Sequence, residues 1–220
     1  MKALTLILCS IITIGGWAQS KVVSESVTLT GQERLDLEFT FADEIAFQIW
    51  DKKEVLVEVT VDINDGEHND IFSLNSEKTA STIYIEMDKD MWKKIEKDKK
   101  GNWNNCSYNS TINYAVYLPK ELEVEANTIS GDYEFEYFNQ PMRLKTISGA
   151  IDMTVPNAMG LDFKAKTITG EVYSDIDIAY PEGKEGLRQI VGQNFKGRIN
   201  NGGQRLEFET ISGNIYLRKG

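Results

Sequence analysis

Histidine, cysteine and proline are scarce in this chain: 220 residues hold one, two and four of them. With His68 the sole histidine, any histidine-based triad must use it, and no G-x-S-x-G serine accompanies it. Cys9 falls in an N-terminal apolar run, so Cys106 has no partner for an intramolecular disulfide, which excludes a disulfide scaffold. Burial of that free thiol is the expected state, and pairing between chains is the alternative. After residue 20 no apolar run is long enough to span a membrane, so direct insertion is not expected. Positive charge is also short: 24 Lys and Arg face 34 Asp and Glu, a net charge of -10. That balance disfavours nucleic acid and anionic lipid heads, both of which need a positive field. What is plentiful is core material: 41% hydrophobic and 10% aromatic residues, with 17 glycines for turns. This excludes a disordered tail and allows a single core of ordinary size.

Residues 1–18 read as a secretory signal peptide. Lys2 is the positive start, Ala3 to Gly15 is the apolar stretch, and Gly16 and Ala18 are the small residues before a cut that leaves Gln19 first. A lipoprotein cut at Cys9 is the rival reading. Leu8 stands against it, where a small residue is needed. Removing residues 1–18 leaves 23 basic and 34 acidic residues, a net charge of -11. The expected location is therefore exported: periplasm, outer-membrane periphery or extracellular. Residues 19–220 form the expected single domain.

The first half of that domain alternates. Val55, Val57, Val59, Val61 and Ile63 share one face of a period-two pattern, which predicts a half-buried strand. Similar strands are predicted at 24–29, 35–41, 45–50, 82–87 and 111–118, with turns at Thr30-Gly31, Ala42-Asp43-Glu44 and Asp51-Lys52-Lys53. The polar cluster from Asn64 to Asp70 has a glycine at a calcium-loop position. The first and third ligand positions would be Val61 and Ile63, so it reads as a turn. Residues 88–98 predict a short helix, with Asp88 as cap and Met91, Trp92 and Ile95 on one face. With the polar loop up to residue 110 they form an insertion of lysine-rich character.

The strongest pattern is a repeat. Thr128-Ile129-Ser130-Gly131 recurs as Thr146-Ile147-Ser148-Gly149, Thr167-Ile168-Thr169-Gly170 and Thr210-Ile211-Ser212-Gly213, with glycines 18, 21 and 43 residues apart. A degenerate copy, Gln189-Ile190-Val191-Gly192, divides the last gap into 22 and 21. Alternating runs flank each glycine, so each unit of about 20 residues is strand, turn, strand, turn. One unit cannot bury its own face, and stacking successive units in register would make a continuous apolar stripe. The expectation is an all-β, single-domain β-solenoid. In it Ile129, Ile147, Ile168 and Ile211 stack inward, Thr and Ser form hydroxyl rows, and the glycines sit at positive φ or at close backbone approaches. The N-terminal strands would be less regular coils capping the stack.

The T-[IV]-S-G repeats, Val116-Tyr117-Leu118-Pro119-Lys120-Glu121-Leu122 before the first of them, and the terminal run from Glu209 to Leu217 resemble the bacterial "putative adhesin" family, related to head-GIN and toastrack-like envelope proteins. Trp50 to Val55, with Ile63-Asn64-Asp65-Gly66 downstream, is similar to its Bacteroidota branch. The resemblance implies an exported β-solenoid and supplies no catalytic residues.

Three functions follow as expectations. The first is a non-enzymatic envelope module, adhesin-like or a stress-response accessory, that binds a protein or glycan partner. The second is a polysaccharide-active enzyme using outward carboxylates among Glu134, Glu136, Asp152, Glu171, Asp175 and Asp177. Alternating acids are ordinary on the solvent face of a sheet, and no Arg or Lys accompanies these in a repeated register. The third is a self-associating coat, joined through open ends or Cys106. The first is the favoured reading. The chain is expected to have no catalytic, cofactor-binding or metal-binding residues, and to bind no nucleic acid.

Overall fold

The structure, a computed structural model, describes residues 20–91, 93, 109–136, 138, 140–179 and 193–220. Among them the chain is all-β. Its strands are β1 (Lys21–Thr28), β2 (Arg34–Glu38), β3 (Phe41–Trp50), β4 (Glu54–Ile63), β5 (Leu74–Lys78), β6 (Thr82–Met87), β7 (Ser110–Pro119), β8 (Glu123–Asn127) and β9 (Ser130–Glu136). They continue with β10 (Met142–Ser148), β11 (Ile151–Val155), β12 (Leu161–Thr167), β13 (Val172–Ser174), β14 (Ile178–Ala179), β15 (Gln193–Ile199), β16 (Gln204–Ser212) and β17 (Ile215–Lys219). All belong to one hydrogen-bonded network, nearly closed like a barrel.

Two parallel ladders make up most of that network. One runs β6, β2, β8, β10, β16, β12. The other runs β7, β3, β9, β11, β17, β13. Antiparallel strands flank them: β5 beside β6, β15 beside β12, and β4 then β1 beside β7. Consecutive strands such as β8 and β9 feed opposite ladders, because a chain that turns a corner after about six residues can keep alternate side chains inside on both walls. The inward rows are unbroken. Ile83, Leu35, Val124, Met142, Leu206 and Phe163 align across the first ladder. Tyr114, Ile45, Tyr133, Ile151 and Ile215 align across the second, and all ten of these core positions apart from Phe163 are at most 2% exposed. Each such side chain contributes about 1.5–3 kcal/mol by leaving water.

The predicted face of Val55, Val57, Val59, Val61 and Ile63 is fully buried in β4. The Asn64–His68 turn is also observed, with Asn64, Asp65 and Gly66 at φ 52°, 53° and 86° and the Asp62 carboxylate accepting the Gly66 N–H at 2.9 Å. The turn expected at Ala42–Glu44 is not. Strand β3 runs through it with a register slip between Phe41 and Glu44. The chain bends instead at Phe39-Thr40, because Phe39 is buried against Tyr114 (ring centroids 4.2 Å apart) and the Asp43 carboxylate is used by the Ile112 N–H at 2.7 Å. Strand β5, with four exposed residues of five, had no apolar pattern to reveal it. Of the expected helix at 88–98, Met91 and Lys93 are helical, and Trp92 and residues 94–98 lie outside the described residues, as do Cys106, the signal segment 1–18 and the degenerate repeat 189–192.

The order of units departs from the expectation that successive repeats stack. The unit β16–β17 lies between β10–β11 and β12–β13, and β2–β3 lies between β6–β7 and β8–β9. The reason lies at β12. Strand β15 pairs antiparallel to one side of it, and the turn at Asn200–Gly203 carries the chain past the start of β12 to its other side. Glycines permit that crossing: Cβ atoms on Gly160 and Gly203 would strike the carbonyl oxygens of Gly202 and Gly160.

One charge sits poorly in this frame. Asp36 is half-buried on β2, and burial, then the carboxylates of Glu125 and Glu38, push its pKa above the usual range. A raised folded-state pKa in an acid means that stability is lost as pH rises through it. Asp36→Asn should therefore raise the thermal midpoint at pH 7 by about 2 °C, with no gain near pH 3. Thermal melts of both proteins at the two pH values check this.

Candidate functional site

The T-I-S-G corners define the most regular surface. In β10 the inward positions are Met142, Leu144 and Thr146, so Ile147 points outward with Arg143 and Lys145. The same parity holds at Leu206, Phe208 and Thr210, and at Leu161, Phe163, Ala165 and Thr167. The threonines are buried and the isoleucines are not: Ile129, Ile147, Ile168 and Ile211 are 41–46% exposed. The expected inward isoleucine stack is thus overturned, and the motif's threonine takes its place.

The threonine row has a clear role. Thr146, Thr210 and Thr167 donate their hydroxyls to the carbonyls of Gly131, Gly149 and Gly213, at 3.4, 3.1 and 3.0 Å. Each bond crosses to the neighbouring unit and satisfies a buried polar group on both sides. The glycines let the backbones come that close: a Cβ on Gly149, Gly213 or Gly170 would strike the carbonyl oxygen of Gly131, Gly149 or Gly213. Positive φ is needed at Gly131 (133°), where Ala42 Cβ would be 2.7 Å from an added Cβ. Adjacent units thus align the four isoleucines as an exposed ridge in the order 129, 147, 211, 168. The backbone bonds Ser148 N–H to Ile129 O and Thr169 N–H to Ile211 O, each 2.9 Å, hold its register.

The same outer face carries charge in rows. Glu207 is shared by Arg143 (3.2 Å) and Lys164 (3.3 Å), Lys166 meets Glu209 at 2.5 Å, and Arg198 meets Asp162 at 2.9 Å. Burial works against ionisation of Glu207, but hydrogen bonds from Lys164 and Arg143 outweigh it and hold the carboxyl below its usual range. The Lys166 and Arg198 hydrogen bonds do the same for Glu209 and Asp162.

The six candidate acids lie elsewhere. Glu134 and Asp152 are register neighbours on β9 and β11, and with Glu136, Glu44 and Arg218 they line an open hollow of about 650 Å³ on the second ladder. Both Asp152 carboxylate oxygens are held by Arg218, at 2.5–2.8 Å. That partner is 66 residues away in sequence, so residue order could not show it. Glu171 is hydrogen-bonded by the Tyr173 hydroxyl, and Asp175 accepts the Lys219 N–H at 2.6 Å. Asp177 lines a small separate hollow with Asn157 and Lys219. His68 is half-buried in its turn. Among the described residues no group of three or more His, Cys, Asp or Glu is placed to hold a metal ion. Likewise no helix among them is long and apolar enough to cross a membrane.

In fold the chain is similar to a solved structure described as a "putative cell adhesion protein" from Clostridium sporogenes, with TM-score 0.54 and 12% identity over 92% of this chain and 100% of that one. Two further solved structures are each described as a "putative adhesin". That from Bacteroides fragilis has TM-score 0.32 and 8% identity over 92% of this chain and 99% of that one. That from Parabacteroides merdae has TM-score 0.29 and 11% identity over 70% and 60%. The first likeness shows a shared fold. No family model matches the chain, and no curated protein matches it by sequence.

Proposed function

We propose that this chain is an exported, non-enzymatic binding protein of the cell envelope, adhesin-like, that takes a protein or glycan partner. In this reading the parallel ladders are the walls of a β-solenoid of the head-GIN or toastrack-like kind, in its Bacteroidota branch. The observation that carries it is the ridge of Ile129, Ile147, Ile211 and Ile168, one exposed β-branched side chain per unit in fixed register. Aligned apolar side chains left in water on a regular face are the mark of an interaction surface. The cell-adhesion description of the Clostridium sporogenes structure points the same way.

The test is capture from a detergent extract of the source envelope on immobilised protein. A discrete partner is expected, lost in the Ile147→Ser/Ile211→Ser variant while the thermal midpoint moves little. No partner above a blank surface, or equal capture by the variant, would overturn the reading.

A further inference from the structure

We propose that the outer face of β10, β16, β12 and β15 binds an acidic glycan, a chain bearing carboxylate or sulfate groups, seated over Lys196 and Arg205. This names a ligand class for the binding function above and rests on it. In a chain of net charge -10, seven cations gather on these four neighbouring strands: Arg143, Lys145, Lys164, Lys166, Lys196, Arg198 and Arg205. Asp162, Glu207 and Glu209 oppose them on these strands and Glu125 of β8 meets Lys145 at 3.5 Å, leaving a local charge of +3. The acidic partners are already engaged with Arg143, Lys164, Lys166 and Arg198. Among the described residues Lys196 and Arg205 make no ion pair within 4.0 Å, although Asp162 stands opposite Arg205 in register and feels its charge.

Two features turn this charge into a site. Lys164 and Lys196 are direct register partners across the β12–β15 pair, an arrangement of like charges that costs stability unless an anion lies between them. Lys164, Lys196, Arg198 and Arg205, four cations against the two carboxylates of Asp162 and Glu207, also line one hollow of about 610 Å³, large enough for a few sugar units. Phe163, Phe195 and Phe208 alternate inward on these strands, and Phe163, which lines the hollow, is only 3% exposed. So little exposed ring surface is a poor platform for stacking bases, and a nucleic acid is the poorer fit. The negative charge of the chain as a whole opposes a flat anionic membrane, whereas a hollow can take a short anionic segment.

The full chain would be titrated calorimetrically with oligogalacturonate and heparin-derived hexasaccharide, with a neutral galacto-oligosaccharide as reference. At least one acidic chain should bind, and its affinity should fall as salt rises. Lys196→Glu/Arg205→Glu should weaken it tenfold or more. Lys53→Glu/Lys120→Glu, the same change of net charge on turns outside this face, should stay within threefold. Matching thermal midpoints would establish that both variants fold. Equal losses in both variants, binding of the neutral chain as tightly as the acidic ones, or equal binding of a single-stranded oligonucleotide would overturn the proposal. Failure of every acidic chain to bind, with envelope capture still dependent on the isoleucine ridge, would remove the glycan site and leave the broader binding function standing.

Discussion

Replacing Gly149 by valine should cost at least 3 kcal/mol in urea unfolding or prevent folding, whereas Glu136→Ala should change stability by less than about 0.5 kcal/mol. Gly149 is not at positive φ; the constraint is distance. Its Cα faces the Gly131 carbonyl across the corner, and any Cβ would occupy the space of that oxygen. The same oxygen accepts the buried Thr146 hydroxyl, so a shift to relieve the clash would also leave a polar group unpaired. Because backbone cannot move aside as a flexible side chain does, alanine should already be harmful. A Gly149→Ala protein with an unchanged denaturation midpoint would refute the close-approach account, whatever valine did.

Phe208→Ala should lose about 3–5 kcal/mol, the range for a buried aromatic truncated to leave a cavity. Phe208 is 1% exposed and stands edge-on between Phe135 and Phe163, with centroids 5.7 and 5.4 Å away. Phe163 belongs to the adjacent unit on the same wall and Phe135 to β9 on the opposite wall, so the ring ties the unit that arrives last in sequence both to its β12–β13 neighbour and across the core. The informative comparison is Ile211→Ala, three residues on. It is exposed and should cost only a few tenths of a kcal/mol. Equal losses for the two variants would mean that the inward and outward assignments of β16 are wrong. Paired chemical denaturation curves decide it.

That comparison also marks where residue order was a reliable guide. Period-two alternation located β4 and β7 and both runs around each T-I-S-G corner, because half-buried strands write their burial pattern directly into the chain. The inward isoleucines were a misreading by hydrophobicity alone. Counting parity from Leu144, Leu206 or Phe163 places the motif's threonine inside and its isoleucine outside, so the correct signal was present. The order of units was not present in any local pattern. Each wall position accepts an alternating strand from any part of the chain, and only the antiparallel return of β15 forces β16 between β10 and β12. The charged face was hidden for the same reason. Its members range from Arg143 to Arg205, and one at a time they look like ordinary solvent-facing residues of alternating strands. Arg218 beside Asp152 was equally invisible, since their contact joins β11 to a strand 66 residues away.

The placement of β16–β17 has a consequence for how the molecule comes to be assembled. Until residues 204–219 are available, β10 and β12 cannot be bridged, and each waits with a long row of unmatched backbone groups on a parallel edge. The nascent chain thus carries two template edges that only its own distal segment should fill, and any other strand that reaches them first competes for the same hydrogen bonds. Parallel pairing across 64 residues, as between Met142 and Leu206, is also slow to find. Growth from one end, unit upon unit, is unavailable to this architecture. The middle closes last, and what keeps the chain apart from its neighbours during that delay matters as much to its yield as the stability of the finished wall.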